Sequence, residues 1–285
     1  MKKKLISGLL KTVALLPLPV LYLFADFIFF VVFYVVRYRR GVVENNLTEA
    51  FPEKSEKEIR KIGKAYYHYM CDIIVETVKL LHISDREMKR RVKVLNPGVL
   101  AGSVESGKSV VLLLGHYGNW EWVQEISRYM PDKGYRASIY RPLNSKLWDA
   151  IYHKIRSRWN VNIIPQKSAV KTLLSKDNQP WICGFIADAR PRSKEEEAKV
   201  EFLNHDTYFI YGPEVIGRKV GADFYFLEMR RVSRGKYEIE FHPLDRESTE
   251  TANLSYPLTR AFWREFEKSI KNSSAYWLWS HKRWK

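Results

Sequence analysis

Short apolar segments recur between residues 109 and 241 of the chain, and polar segments with helix-like spacing separate them. Runs of four to eight apolar residues bounded by turn residues are typical of buried strands. Their alternation with helical segments predicts a single α/β domain in which helices cover a sheet. The predicted strands comprise residues 109–114, 135–140, 161–164, 181–186, 222–229 and 237–241.

The longest helical pattern is predicted over residues 55–82. Ser55, with Glu58 three residues later, forms a capping box at its start. Apolar residues then recur at helical spacing, and such a stripe usually packs against the core of a domain. His68 lies within this helix and is expected to be a packing or solvent-facing histidine.

An apolar segment near the N-terminus runs from Val13 to Val36 and contains one charge, Asp26. As a helix it would be roughly 36 Å long, enough to cross the hydrocarbon core of a bilayer with some tilt. The segment is too long for the apolar region of a signal peptide, and no small-x-small cleavage site follows it. We therefore expect a retained membrane anchor over residues 1–40 and one further domain over residues 41–285.

The topology of this anchor is left open by its sequence. Pro17, Pro19 and Asp26 interrupt the apolar run, and basic residues flank both of its ends. A spanning helix, a helix lying in the membrane interface and a short re-entrant pair all fit these features.

The composition, and above all the net charge, narrows the classes of molecule that the protein is expected to bind. The 285 residues carry a net charge of +16, which favours phosphate-bearing lipid, nucleic acid or an acidic protein. The two cysteines, Cys71 and Cys183, are not enough for a disulfide framework, and neither has a histidine at zinc-ligand spacing. We expect two core thiols and no metal site.

Candidate chemistry is concentrated in the segment SVVLLLGHYGNWEWVQEI, residues 109–126. A strand is predicted to end at Gly115, His116 to occupy a turn, and Asn119 to cap a helix that begins near Trp120. Inside one helix, His116 and Glu121 would lie roughly 140° apart and could not meet. They can meet only if His116 precedes the helix, which the neighbouring glycines permit.

Such a pair would have a clear chemical use. Glu121 would accept a hydrogen bond from one imidazole nitrogen, and the other nitrogen would remove the proton from an attacking hydroxyl. That hydroxyl could attack an acyl thioester directly, because no GxSxG nucleophile is present. Zinc chemistry of the HExxH type is excluded, since the segment has one histidine.

At these residues the sequence resembles the bacterial lipid A secondary acyltransferases, the lauroyl and myristoyl transferases with an HX4D/E motif. HYGNWEW (116–122) looks like the HxGNWE form of that motif, and YRPLN (140–144) looks like the second motif of the family. YRRGVVENNLTEAFPEKS (38–55) and AYWLWSHKRWK (275–285) are similar to family segments near either end, so the resemblance covers most of the chain.

The resemblance implies a central mixed sheet flanked by helices, of the glycerolipid-acyltransferase type, with no cofactor and no metal. It implies that His116 and Glu121 are catalytic, and that Arg141 contacts a phosphate or the polarised thioester. Asp188 and Asn119 are the other candidate substrate-binding residues. Asp188 is expected to orient Arg141 or another basic group.

The chain departs from the family pattern at two places. Asp188 is followed by Ala189 and Arg190, where the family often has an Asp-Gln pair. The Phe-x-Gly of the family before a threonine is replaced by residues 202–204, Phe-Leu-Asn, before Thr207. These departures bear on substrate recognition more than on the type of reaction.

The implied partners follow from the family. The donor would be an acyl carrier protein thioester or acyl-CoA, and an acidic carrier suits a basic surface. The acceptor would be a phosphorylated, acylated disaccharide lipid at the cytoplasmic side of the bacterial inner membrane. An ornithine lipid or another aminolipid is the alternative acceptor, and a basic, membrane-tethered binding protein without catalysis is the rival function.

A cluster of aromatic and basic residues ends the chain. Bases could stack on its tryptophans, but tryptophan with lysine or arginine is also typical of a membrane interface. We expect a packed tail with its basic residues at the headgroup level, and no nucleic-acid partner. The cluster consists of Trp277, Trp279, His281, Lys282, Arg283, Trp284 and Lys285.

Overall fold

The computed structural model of the chain describes residues 2–130, 134–175, 179–191, 194–245 and 254–284. Its α-helices are α1 (Lys2–Leu15), α2 (Leu18–Phe30), α3 (Arg40–Ala50), α4 (Glu56–Lys79), α5 (Asp85–Arg91), α6 (Gly98–Glu105), α7 (Lys146–Arg156), α8 (Ala169–Leu174), α9 (Gly212–Lys219) and α10 (Pro257–Asn272). Its strands are β1 (Val92–Val94), β2 (Val110–Leu114), β3 (Tyr135–Tyr140), β4 (Asn162–Pro165), β5 (Trp181–Ile186), β6 (Lys199–Phe202), β7 (His205–Tyr208), β8 (Asp223–Ser233) and β9 (Lys236–Pro243).

Seven strands form the central sheet in the order β1-β9-β8-β2-β5-β3-β4. The strands from β8 to β4 run parallel to one another, whereas β9 is antiparallel to β8 and parallel to β1. Alternate residues of β2 belong to two different apolar clusters, one on each face of the sheet. The sheet is therefore covered on both faces, and the predicted α/β class with a mixed central sheet is confirmed.

All six predicted strands are present, each with ends within a few residues of the prediction. The long helix is also confirmed as α4, and Ser55 and Glu58 form its capping box. The prediction missed β1, which is three residues long, and the hairpin of β6 and β7, whose outward positions are polar. Short or polar strands lack the apolar run on which the prediction depended.

The apolar N-terminal segment is bent rather than continuous. Helix α1 ends before Pro17, α2 follows it, and a π-helical stretch completes the segment. Within the described residues, Leu18–Val36 is one helix long and apolar enough to cross a membrane, judged by length and composition alone. The boundary between an anchor over residues 1–40 and a domain over residues 41–285 stays a prediction.

One face of α2 packs against α4, and the other face is exposed. Leu18, Leu21 and Ala25 are buried, whereas Phe24 and Phe27 are exposed. The apolar side chains of the exposed face are not needed for packing within the described part of the chain.

The charge in α2, Asp26, lies on the side that meets the domain. Arg234, in the turn between β8 and β9, contacts Asp26 at 2.6 Å and also contacts Asp72 of α4 at 2.6 Å. His68 lies 3.1 Å from Asp26, so this histidine has a charged partner in addition to the packing expected for it. Both cysteines, Cys71 and Cys183, are free and buried, as predicted.

Candidate active site

Parallel pairing of β2 with β5 determines which side chains meet at the edge of the sheet. Leu114, at the end of β2, is aligned with Ile186, at the end of β5. His116 and Asp188 each lie two positions beyond these residues, so they emerge side by side. Arg141 directly follows β3, which is the neighbour of β5 on the other side. Ligands of parallel α/β sheets bind at this carboxyl edge.

Asp188 holds His116 through two hydrogen bonds. The imidazole Nδ1 lies 2.7 Å from Oδ1 of Asp188, and the main-chain N–H of His116 donates to Oδ2 at 3.0 Å. The indole N–H of Trp277 donates to the same Oδ2 at 2.9 Å. The Asp188 side chain is 3% exposed and that of His116 is 28% exposed. The carboxylate is thus buried and fixed, whereas the imidazole reaches solvent.

This pairing determines the proton distribution. Burial disfavours the charged imidazolium, but the Asp188 carboxylate outweighs it, so the pKa of His116 is raised above 6.5. Burial alone would raise the pKa of Asp188, but His116 and the hydrogen bonds to the carboxylate lower it to about 2. A carboxylate at Nδ1 favours the tautomer with the proton on Nδ1, and Nε2 is then the basic nitrogen.

The predicted hydrogen bond between His116 and Glu121 is wrong in this structure. Glu121 is buried and accepts two hydrogen bonds from Arg156 of α7, from Nε at 2.9 Å and from Nη2 at 2.5 Å. His116 does precede the helix, as the prediction required, but Asp188 occupies the position expected for Glu121. Glu121 still acts on His116 through space, because its charge contributes to the raised pKa of the imidazole.

Asn119 has a structural role, and its substrate-binding role stays a prediction. Its Oδ1 accepts a hydrogen bond at 3.1 Å from the main-chain N–H of Trp122, the first residue of the next helix, but the N-cap position of that helix is Glu121 and not Asn119 as predicted. The helix that follows is a 3₁₀-helix over Trp122–Tyr129, two residues later than expected. The Asn119 amide nitrogen donates to Glu76 at 2.6 Å, and the residue is fully buried.

Arg141 is exposed, and no hydrogen bond or ion pair joins it to the rest of the described chain. Of the two expected roles of Asp188, orienting Arg141 or orienting another basic group, the structure shows the second, because the basic group that Asp188 holds is His116. Contact between Arg141 and a phosphate or thioester stays a prediction.

Of the cavities beside the 116–122 turn, two lie next to the His116 imidazole or its neighbour Trp120. A small one is lined by His116, Asp188, Ala189, Trp277, Leu278 and His281. A larger, mainly apolar one is lined by residues that include Leu112, Val123, Met130, Ile139, Ile186 and Arg156. Trp120 lines the larger cavity and packs edge-on against the imidazole, with 5.3 Å between ring centroids. The imidazole of His116 therefore lies next to a mainly apolar cavity.

The C-terminal segment is packed into the site, as expected for most of its residues. Trp277 and Trp279 are buried, and the main-chain N–H of Gly118 donates to the carbonyl of Tyr276 at 3.1 Å. Arg283 differs from the prediction, because it is buried and donates to the carbonyl of Tyr208 instead of facing headgroups. Lys285, predicted as part of this cluster, lies outside the described residues.

The residues that the sequence did not reveal are Arg156, Trp277 as the donor to Asp188, and His281. Two clusters elsewhere have ligand atoms spaced for a metal ion, Asp26 with His68 and Asp72, and Glu228 with Glu240 and His242. Each cluster contains an arginine ion pair, Arg234 in the first and Arg230 in the second. Within the described part of the chain they are ion-pair networks.

Comparison with known proteins agrees with the motifs. The model of the family described as bacterial lipid A biosynthesis acyltransferase matches residues 3–285. The chain is 24% identical, over 287 residues, to the lipid A biosynthesis lauroyltransferase of Escherichia coli strain K12, covering 98% of this chain and 89% of that protein. The resemblance predicted from the sequence is confirmed, and an acyltransferase is indicated by both findings. The chain belongs to the bacterial lipid A biosynthesis acyltransferase family.

Proposed function

We propose that this protein transfers a fatty acyl group from an acyl thioester to a hydroxyl of a lipid A precursor, with His116 as general base. The observation that supports this most directly is the hydrogen-bonded pair of His116 and Asp188 at the carboxyl edge of the sheet. Among the described side chains, none is hydrogen-bonded to Nε2 of His116. That nitrogen is the one available to an acceptor hydroxyl.

The reaction would proceed in two proton transfers around one acyl transfer. Nε2 of His116 removes the hydroxyl proton as the oxygen attacks the thioester carbonyl carbon. The tetrahedral intermediate collapses, the carbon–sulfur bond breaks, and the imidazolium returns the proton to the leaving sulfur. Asp188 stabilises the imidazolium between these steps and keeps the tautomer correct. No acyl-enzyme intermediate is required.

Glu121 and Arg156 would act at the acyl side of the site. Arg156 lines the apolar cavity, and its pairing with Glu121 keeps the partly buried guanidinium neutralised. The acyl chain is proposed to lie in this cavity, next to Trp120. The name of the Escherichia coli relative, a lauroyltransferase, agrees with a fatty acyl cargo. Arg141, exposed at the same edge, is proposed to contact a phosphate of the donor or the acceptor.

The exposed apolar face of α2 supports attachment to a membrane, and Arg37, Arg39 and Arg40 follow it. Basic residues beside an apolar segment favour an anionic lipid surface. We propose the cytoplasmic side of the bacterial inner membrane as the location. Acyl carrier protein is the proposed donor, because an acidic carrier is steered to a protein of net charge +16; acyl-CoA is the alternative donor.

The test is transfer of a labelled acyl group from acyl carrier protein to a lipid A precursor in vesicles that contain the protein. Removing a general base costs about 10²- to 10⁴-fold in rate, so His116→Ala should lose transfer by that factor. His82→Ala is the matched control, because His82 is exposed and does not line either cavity. Equal rates in all three proteins would overturn the mechanism, and transfer to an ornithine lipid alone would overturn the proposed acceptor.

A further inference from the structure

Glu76 is a buried carboxylate that the proposed reaction does not use. It lies in α4, is fully buried, and accepts hydrogen bonds from three other parts of the chain. The Tyr22 hydroxyl of α2 donates to Oε1 at 2.7 Å. The Asn119 amide donates to Oε2 at 2.6 Å, and the Tyr237 hydroxyl of β9 donates to the same oxygen at 2.7 Å.

Such a group is costly to bury. Burial raises the pKa of Glu76 to about 7, although the tyrosine hydroxyls that donate to it oppose the shift. An apolar side chain of similar volume would often stabilise a protein as well or better. A carboxylate with three donors from separate elements does one thing that an apolar side chain cannot: it fixes their relative positions through directional bonds.

One of these elements is the 116–122 turn. Asn119 lies between His116 and Glu121, and its side chain is hydrogen-bonded to Glu76 at one end and to the main-chain N–H of Trp122 at the other. The indole N–H of Trp122 donates to the main-chain carbonyl of Glu76 at 3.1 Å. The side chain and the main chain of Glu76 therefore both hold the 116–122 turn, through Asn119 and Trp122.

A second residue of α4 grips the same turn. The Tyr69 hydroxyl donates to the carbonyl of Gly118. Tyr69 and Glu76 are seven positions apart, which is close to two helical turns, so they share one face of α4. The 116–122 turn packs against this face of α4.

The other element at Glu76 is the apolar helix α2. Tyr22 is on the face of α2 that packs against α4, opposite the exposed Phe24 and Phe27. Asp26, one turn further along, is bonded to Arg234, and Arg234 is bonded to Asp72 of α4. The contacts of Tyr22 and Asp26 fix α2 at two neighbouring points. The Tyr22 contact is made to Glu76, which also holds the 116–122 turn.

We propose that Glu76 is a positioning residue that couples the docking of α2 onto α4 to the geometry of the 116–122 turn. The inference rests on the proposed function, in which His116 is the base. Its consequence is that α2, which is proposed to contact lipid, is linked to the 116–122 turn by two hydrogen bonds. Tyr22 donates one of them to Glu76 and Asn119 donates the other. A change in the packing of α2 against α4 then changes the orientation of His116 toward Asp188.

The test compares Tyr22→Phe and Glu76→Gln with the matched control Tyr67→Phe. Tyr67 is also in α4, and its hydroxyl donates to the carbonyl of Tyr38 in the N-terminal segment, so it loses a similar bond without touching the turn. Each protein is assayed for transfer in vesicles at a temperature well below its unfolding midpoint. Imidazole NMR titrations of histidine-labelled protein follow His116, assigned by its loss in His116→Gln.

Misplacing a catalytic group by about 1 Å can cost up to about 100-fold, so kcat of Glu76→Gln should fall by roughly 10- to 100-fold. The single hydroxyl lost in Tyr22→Phe should lower kcat by about 3- to 10-fold on the same physical basis. KM should change by less than about twofold in both, since neither residue meets substrate. The midpoint of the His116 titration should fall in both, because a displaced turn loosens the bond to Asp188. Tyr67→Phe should match wild type in rate and titration.

The proposal is overturned if Tyr22→Phe matches Tyr67→Phe in rate and in the His116 titration, whatever its stability. It is equally overturned if the rate per folded molecule of Glu76→Gln is unchanged. Should Glu76→Gln not fold, Tyr22→Phe decides alone. The titration does not depend on transfer, so a wild-type protein without transfer activity would overturn the proposed function while the coupling is still tested.

Discussion

The side of the 116–122 turn that faces the strand-end cavity and the side that faces α4 differ in exposure and in charge. His116 is 28% exposed on the first side, and its partner Asp188 has a strongly lowered pKa. On the second side, Gly118 and Asn119 are buried and are hydrogen-bonded to α4. The partner of Gly118 is the neutral Tyr69 hydroxyl, and that of Asn119 is the Glu76 carboxyl group. The turn therefore has a reacting side, which carries the proposed base, and a supporting side, and residues of one short motif contribute to both.

This division agrees with the proposal that His116 is the residue of the motif that meets substrate. A reacting imidazole needs access, and its position must be fixed by groups that have no access. Asn119 and Trp122 therefore follow His116 in the motif but point away from the cavity into the hydrogen bonds of α4. Substitutions on the two sides should differ in kind: those on the reacting side should change rate and pH dependence, and those on the supporting side should change stability as well.

The largest effect is expected from Asp188→Asn. An amide keeps the shape but presents N–H to Nδ1 or accepts only weakly from it, so the wrong tautomer is populated and the imidazolium loses its counter-charge. We expect kcat to fall by about 10²- to 10⁴-fold, in line with other histidines deprived of an orienting carboxylate. Burial lowers and Asp188 raises the pKa of His116, so without the carboxylate the pKa should fall.

The sign of the pH effect follows from the role of His116 as a base. The base must be neutral, so kcat/KM in the wild type should decline as the pH falls through the raised pKa of His116. In Asp188→Asn this acid limb should move to lower pH while the plateau drops. Asp206→Asn is the control, since Asp206 has an exposed side chain in a surface ion pair with Lys199. An acid limb that does not move in Asp188→Asn would contradict the pairing.

The sequence revealed the supporting side of the turn better than the reacting side. Gly118 and Asn119 could be interpreted from local rules, because turn glycines and the hydrogen bonds from an asparagine side chain to nearby main-chain N–H groups depend on neighbours in the chain. The partner of His116 could not, because Asp188 is 72 residues away and meets it through the pairing of β2 with β5. Both strands were predicted as apolar runs, but their adjacency was not.

A register rule would have found this pair. Leu114 and Ile186 end two apolar runs, and each is followed two positions later by a polar residue that can titrate. If the two runs are taken as parallel neighbours, His116 and Asp188 must meet. Arg156 has no comparable rule, because it is the last residue of a helix whose docking is determined by the whole fold.

Gly118→Ala tests the supporting side and should have the next largest effect. Gly118 has a φ of +60°, and a Cβ there would lie 2.1 Å from the main-chain oxygen of Met229. Strain in this region costs about 1–3 kcal/mol for a non-glycine residue, and the contact with a backbone atom adds to it. We expect at least about 2 kcal/mol of lost unfolding free energy, measured by chemical denaturation in detergent.

Gly107→Ala separates the two contributions. Gly107 also has a positive φ, of +79°, but a Cβ there would have nothing within 4 Å. Its cost should be the strain alone, about 1 kcal/mol. If the two variants were equally stable, the contact between Gly118 and Met229 would not be part of the supporting side.

The smallest effect on pH dependence is expected from Glu121→Gln, and it distinguishes the two carboxylates near His116. Glutamine retains one oxygen for Arg156 but leaves the guanidinium without its counter-charge, so we expect a loss of about 1–3 kcal/mol in stability. The double variant Glu121→Gln with Arg156→Met should regain part of that loss, because neither residue then leaves an unpaired buried charge. In the pH–rate profile, the acid limb should move far less than in Asp188→Asn, since Glu121 acts on the imidazole through space alone. A shift as large as that of Asp188→Asn would instead make Glu121 the carboxylate that orients His116 during the reaction, which is the arrangement that the sequence had first indicated. The reacting side of the turn would then have two alternative arrangements, with the imidazole paired to Asp188 in the one observed and to Glu121 in the one that reacts.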